Sequence, residues 1–427
     1  MKKSYTITIV LMFCLVQLTY AQLLIDGELR PRAEYRNGFG NIIDEDSDPG
    51  FGVATRMRLN GSFEADFYKI YISVQDVIVW GENRQVSPLD QNDSFAVFQA
   101  WAELNLGSGW STRLGRQILS YDDERILGAL DWAQQGRNHD AALIKYKKNR
   151  FKLEAAFAFN QDHEDPSGFR SIGTSYGTTG FFSYKTMQML YLRQGWNNFS
   201  GSLLFLNNGF QKFDNNDEAD GVNNIQTLGS HLNFNKGRVL VTGNAFVQMG
   251  DDREIGFLLG LDAFYKLSDK VTVGAGVEVI SGDQESTTDT DAFFPLYGTN
   301  HKFNGLMDYF YVGNHANSIG LSDIHVSANF DLGRKSSISV KVLSFSGEQY
   351  LSDRNRSLGT EVDLVFKKTF NNSCSVVAGY SQMFASDGMY ELMRRRPNLS
   401  NITKDTAANV QNWGWIMLVL KPKFLNK

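Results

Sequence analysis

Residues 114–146, LGRQILSYDDERILGALDWAQQGRNHDAALIKY, gather side chains that could do chemistry. His139 beside Asp140 could activate water, with the imidazole as general base and the carboxylate orienting it. Read alone, the stretch suggests an enzyme. Elsewhere the histidines are scattered, and no H-E-x-x-H or other paired-His metal spacing occurs. Adjacent residues on a strand face opposite ways, so His139 and Asp140 could not cooperate directly if a strand carries them. The stretch is either an active site or the polar tip of something larger, and the elements around it decide.

Residues 1–21 read as a secretory signal peptide. Lys2 and Lys3 give a positive start, residues 7–16 an apolar run, and Thr19-Tyr20-Ala21 a cleavage site before Gln22. The run is too short for a spanning helix. Cys14 lacks the small preceding residue of a lipoprotein signal, which points to secretion. Residues 22–427 then form one domain, with no linker-like tract, and Cys374 as the only cysteine of the mature chain excludes a disulfide framework or thiolate metal site. Aromatic residues make up 13% of the chain, yet the mean hydropathy is −0.29. A soluble core this aromatic would need continuous apolar segments, and the longest clean one is WIMLVL, 415–420.

The period is two. In IDGELRPRAEYR, Ile25, Gly27, Leu29, Pro31, Ala33 and Tyr35 alternate with Asp26, Glu28, Arg30, Arg32, Glu34 and Arg36. Such alternation is a strand with one apolar and one charged face, and its length suits a tilted membrane-spanning strand of about 9–11 residues better than a soluble one. It recurs along 53–64, 98–106 and 151–160. Strands are predicted near 24–36, 52–65, 68–80, 95–106, 110–119, 140–147, 151–160, 181–193, 198–207, 226–235, 238–249, 255–267, 271–281, 321–331, 336–345, 357–367, 373–384 and 410–420. Tight turns (EADFYK, GSG, KKNR, NKGR, LSDK, LGRK) alternate with long polar connections, of which only GDDRE is short. A further candidate at 306–313 breaks this rhythm and belongs to the connection 282–320. In lipid every backbone group must be paired, so the sheet must close. The fold class is an all-β transmembrane antiparallel β-barrel of about 18 strands, with short periplasmic turns, long extracellular loops and an aqueous lumen. Trp80, Trp110, Trp196 and Trp413 fall at strand ends, where an aromatic girdle is expected.

The opening stretch, together with SGDQ (281–284), FFPLYGTNHKFNGLMDYF (293–310) and LGTEVDL (358–364), resembles the alginate-export family of outer-membrane porins over essentially the whole mature chain. The resemblance implies an 18-stranded barrel passing an anionic polysaccharide, with basic side chains at its constriction. Alginate-secreting members carry a long periplasmic plug late in the barrel; here the turn at 368–372, KTFNN, is short. The resemblance therefore carries to a channel more than to gated polymer export. Outer-membrane phospholipases use a His-x-Ser order, but GNHANSIG (313–320) puts Ala316 and Asn317 between His315 and Ser318, so no enzyme is expected.

Arg30, Arg32, Arg36, Arg56, Arg58, Arg113, Arg116, Lys145 and Lys152 all lie on the first seven strands and are candidate pore-lining groups, since guanidinium forks match carboxylate, sulfate or phosphate. Alternatively they pair with Asp26, Glu28, Glu34, Glu64, Glu103 and Glu154 in a ladder that stiffens the wall. Arg56 and Arg58, two residues apart, are the candidate constriction.

In the third outer loop, Ser120 to His139, the apolar Ile126, Leu127, Ala129, Leu130 and Trp132 would suit bulk water poorly. This predicts a folded loop against the wall or inside the mouth, with Asp122, Asp123, Arg125 and Arg137 pointing into the pore. Packing on neighbouring loops is the alternative.

The acidic segments DEDSDPG (44–50), DHEDPSG (162–168) and DNNDEADG (214–221) could hold calcium. The first puts Pro49 where an EF-hand needs glycine and Thr55 where it needs an acid, and solvated loops bridged to lipopolysaccharide are the other reading. No other cofactor is expected. Expected partners are outer-membrane lipid and lipopolysaccharide of a Gram-negative bacterium, the barrel-assembly machinery, and an anionic glycan or small acidic solute, without nucleic acid. A non-selective porin or attachment barrel is the alternative function.

Overall fold

The computed structural model describes residues 22–426 except 84, 86–93, 161–163, 166–167, 170–183, 217–218, 252, 284–289, 311–318, 352–354 and 396–398. The signal-peptide segment, most of DHEDPSG and residues 313–318 of GNHANSIG lie outside the described residues.

Alternation becomes eighteen membrane-crossing strands. They are β1 (Gln22–Asn37), β2 (Gly50–Glu64), β3 (Tyr68–Val79), β4 (Ala96–Gly107), β5 (Trp110–Gln117), β6 (His139–Lys148), β7 (Phe151–Phe159), β8 (Thr186–Gly195) and β9 (Phe199–Phe213). There follow β10 (Ala219–Lys236), β11 (Val239–Gly250), β12 (Arg253–Lys266), β13 (Val271–Ile280), β14 (Leu321–Gly333), β15 (Ser336–Ser346), β16 (Ser357–Asn371), β17 (Cys374–Ala385) and β18 (Gln411–Leu420). Each strand pairs antiparallel with its sequence neighbours, and β1 pairs with both β2 and β18, so the sheet closes without an edge. Closure is what permits a sheet in hydrocarbon. After Pro422, which has no amide hydrogen to give, the chain pairs again with β1 over Lys423–Asn426. One face of the wall shows lipid-exposed Leu59, Leu261, Ile324 and Ile416, while the alternate residues turn inward. Turns at the first-residue end are short. Ser108-Gly109, both at positive φ, makes a two-residue turn whose twist matches its strands.

Four details differ from the sequence reading. β9 and β10 continue their ladder well past residues 207 and 226, with Gln211 opposite Val222; backbone pairing carries the hairpin beyond the apolar belt although side-chain alternation has faded. Phe98 is buried inside, because the β3–β4 register slips between Ser73 and Val74 and the bulge turns it to the lumen. Trp80, Trp110 and Trp196 are exposed at strand ends, but Trp413 is fully buried on the inward face. A helix, α1 (Asp387–Arg394), stands in the last outer loop where none was expected. Residues 306–310 form turns, in keeping with their place in the connection 281–320.

The apolar core lies inside the barrel. Residues 118–138, 290–310 and 319–320 fold inward, so that Leu119, Ile126, Leu127, Phe293, Leu296 and Tyr297 join one cluster with inward-facing Met187, Met189, Leu204, Leu206, Phe246 and Leu258. Each such side chain contributes about 1.5–3 kcal/mol on full burial, which makes the two loops a packed plug.

Candidate functional site

Asp131, on the plug, is the meeting point of the first two strands. Arg56 Nη2 donates to its Oδ1 at 2.8 Å, Arg30 Nη1 lies 3.5 Å from Oδ2, and Arg58 Nη1 3.5 Å from Oδ1. Arg56 is completely buried and is also bound by Glu28 across the β1–β2 ladder, Nε to Oε1 2.8 Å. Loop carbonyls take the remaining donors: Arg30 gives to Asp131 O at 2.7 Å and Arg32 to Trp132 O at 2.7 Å. Arg32 also bonds Glu34 at 2.7 Å and lies over the Trp132 ring at 4.3 Å. Arg58 donates to Gln75 at 2.6 Å and covers the bulged Phe98 at 3.7 Å. Burial alone would raise the Asp131 carboxyl, but Arg56 and Arg30 outweigh it and hold it below the usual range.

The other end of the loop is pinned to the opposite wall. Tyr191 on β8 and Ser202 on β9 both donate to Asp122 at 2.7 Å, and Asn244 on β11 donates to Asp123 at 2.6 Å. Arg125, fully buried, forks onto Glu278 of β13 and bonds Asn300 and Asn304 of the second plug loop. Arg137 donates to Gly298 O at 3.1 Å. Trp132 stacks on His301 at 4.2 Å between ring centroids and meets Trp413 and Trp415 edge-on. Asp122, Asp123, Arg125 and Arg137 were expected on a folded loop and pointing into the pore, with packing on neighbouring loops as the alternative; the loop is folded, and wall and loop groups take all four up as anchors. Of the stretch 114–146, residues 118–138 are thus the central part of a plug, and the rest belongs to the flanking strands β5 and β6. His139 faces inward to Tyr184 at 2.9 Å, whereas Asp140 faces outward to Arg116.

Arg116 therefore also needs correction as a lumen residue. It stands three positions from inward-facing Arg113, hence on the other face, beside exposed Leu114, and forms a two-point pair with Asp140 at 2.8 and 2.9 Å. Arg113 and Lys145 share Glu103, each at 2.6 Å; Lys152 pairs with Glu154 at 3.0 Å, and Arg36 with Glu34 at 2.9 Å. Every cation singled out on these strands thus has a carboxylate within reach.

Unpaired cations stand elsewhere. Below the plug, a cavity of about 260 Å³ is lined by Lys302, Gly305, Leu306, His325, Lys341 and Asp363. It shares Asn329 in its lining with a cavity of about 550 Å³ at the periplasmic mouth, also lined by Lys270, Lys335, Lys367, Thr272, Ser337 and Thr369. Among the described residues, Lys270, Lys302, Lys335, Lys341 and Lys367 make no ion pair. Lys335 holds φ at +57° in a two-residue turn where glycine or asparagine is usual. Sequence reasoning missed these five because it weighed cations on the early strands; Lys341 and Lys367 were legible as inward positions of their own strands. Among the described residues no group of three or more His, Cys, Asp or Glu is placed to hold a metal.

The alginate-export family model matches residues 21–393. The chain belongs to this family. Its four motif segments converge on the plug and its seat: 114–141 and 293–310 hold the two interlocked loops, Ser281 hydrogen-bonds Phe257 beneath them, and 358–364 carries Glu361 and Asp363 under the second loop. No curated protein shows significant sequence similarity. Among solved structures it is similar to OpdO of Pseudomonas aeruginosa (TM-score 0.63, 12% identity, 94% of this chain and 98% of that one). It is also similar to OccAB4 of Acinetobacter baumannii (0.62, 12%, 95% and 99%) and to the outer membrane protein OpdK of Pseudomonas aeruginosa (0.61, 11%, 95% and 99%). The family member described here is an outer-membrane channel, and its β16–β17 turn is only Asn372-Ser373.

Proposed function

We propose that this channel passes small acidic solutes and anionic oligosaccharides by passive diffusion, along the wall formed by β12 to β16. The observation that carries this is the set of unpaired lysines, Lys302 and Lys341 beneath the plug and Lys270, Lys335 and Lys367 at the periplasmic mouth, on two neighbouring cavities that share Asn329 in their lining. A cation without a fixed counter-ion keeps its field for a passing solute, whereas one already paired offers little. The hydroxyls of Thr272, Ser336, Ser337 and Thr369 beside them suit the hydroxyls of a sugar acid. On this reading the arginines of β1 and β2 hold the plug and the lysines select the solute.

The setting is the outer membrane of a Gram-negative bacterium, with lipopolysaccharide around the acidic outer loops and assembly by the barrel-insertion machinery. No catalytic step, cofactor or nucleic-acid contact is assigned. Liposome swelling tests the reading: a uronic-acid disaccharide should permeate faster than a neutral disaccharide of the same size. Equal rates would favour a non-selective porin.

A further inference from the structure

Under the second plug loop, two carboxyls share one face of β16. Glu361 is completely buried and Asp363 nearly so, two positions apart and both inward. Glu361 Oε1 accepts the Met307 amide at 2.9 Å. Its Oε2, equally buried, meets no N–H or O–H donor; its neighbour is the Asp363 carboxyl. Asp363 in turn accepts the Ser381 hydroxyl at 2.5 Å. The loop backbone lies directly on this pair: a Cβ added to Gly305 would stand 2.6 Å from Glu361 Oε2.

Two carboxylates cannot hydrogen-bond each other, and two buried negative charges this close are strongly disfavoured. One proton between them removes both difficulties, because the protonated oxygen becomes a donor. The surrounding groups do not supply a substitute. Lys341 faces Asp363 from β15 but makes no ion pair. Asp308 is taken by His301 at 2.8 Å, His325 by Asp262 and Asp323, and Glu278 by Arg125 and Asn304. Lys302 lies over Phe303.

We propose that Glu361 and Asp363 share a single proton, and that this proton seats residues 303–308 over the lumen, so that its loss as pH rises lifts the loop and opens the channel. Gly305 and Leu306 line the cavity below the plug, so lifting them opens that cavity on the plug side. The proposal goes beyond anion preference: conductance is the readout, whichever ion carries it.

Single-channel conductance of the full chain in planar bilayers, from about pH 5 to about pH 10, tests it. Past the titration point of the pair, the open-to-seated ratio should rise about tenfold per pH unit for loss of one proton. Glu361→Gln keeps an oxygen for the Met307 amide and places an amide donor toward Asp363, so its conductance should stay low throughout. Gly305→Ala, which forces a methyl onto the pair at a φ of +89°, should be open already near pH 6. A wild-type conductance flat over the whole range overturns the proposal. So does a Glu361→Gln channel that opens as wild type does, since the response would then belong to the lysines. Should Glu361→Gln fail to insert, a Gly305→Ala channel that stays closed at neutral pH overturns it equally.

Discussion

Arg125 Nη2 and Glu278 Oε1 lie 2.6 Å apart, with a second bond of 2.9 Å from Nε to Oε2, although 153 positions separate them in the chain. Both side chains are buried, and the pair ties the plug to the wall of β13 on the side opposite Asp131. Breaking a buried ion pair by removing one partner costs about 3–5 kcal/mol, because the other charge stays behind. Arg125→Gln should therefore loosen the plug and give larger, noisier single-channel currents, with the barrel still resistant to heat on gels. Arg125→Met combined with Glu278→Leu should restore much of the quiet state. If the single variant is as quiet as wild type, the pair does not hold the plug.

Arg56→Gln with Arg58→Gln acts at the other anchor. As a solute-facing constriction, the pair would give a plain shift of selectivity towards cations when neutralised. With Arg56 buried between Glu28 and Asp131, the expected result is release of the loop and higher conductance to ions of either sign. Selectivity shifting at constant conductance would mean that these arginines face the permeating solute.

The Asp131 anchor also fixes an acid limit. Its carboxyl is held below the ordinary value of about 3.9 by Arg56 and Arg30. The stabilisation it contributes is complete above that ordinary value and is lost as pH falls through the lowered one. Plug opening on the acid side should therefore begin only below about pH 4, whereas Asp131→Asn should bring it to neutral pH. Noise recorded during stepwise acidification measures this, and an identical onset in both proteins would remove Asp131 from the account.

At the closing seam, the exposed ring of Phe424 covers Gly27 of β1, where a Cβ would stand 3.1 Å from its Cε2. Phe424→Ala should slow barrel closure, seen as delayed appearance of the heat-modifiable band in a folding time course. An unchanged rate would place the closing contact elsewhere.

The barrel was legible because lipid enforces strict alternation, as in Asp26 to Arg36. What alternation hid was the plug. On β8 and β9, Met187, Met189, Leu204 and Leu206 put apolar side chains on the inward face as well. The pattern fades there for a physical reason, since those residues pack against a loop from far away in sequence. Parity alone separates Arg113 from Arg116, and that signal was available. The Phe98 bulge, the partners of Arg125 and the isolation of Lys341 depend on three-dimensional register, which no local pattern encodes.

On the proposed function, unpaired lysines, and not the paired arginines, set ion preference. Reversal potential across a potassium chloride gradient measures it most directly, for wild type and for the combined Lys302→Gln, Lys341→Gln and Lys367→Gln channel. Wild type should be anion-selective, and the variant should move toward cations at similar conductance. A wild type without anion preference, or a variant with an unchanged reversal potential, would contradict it.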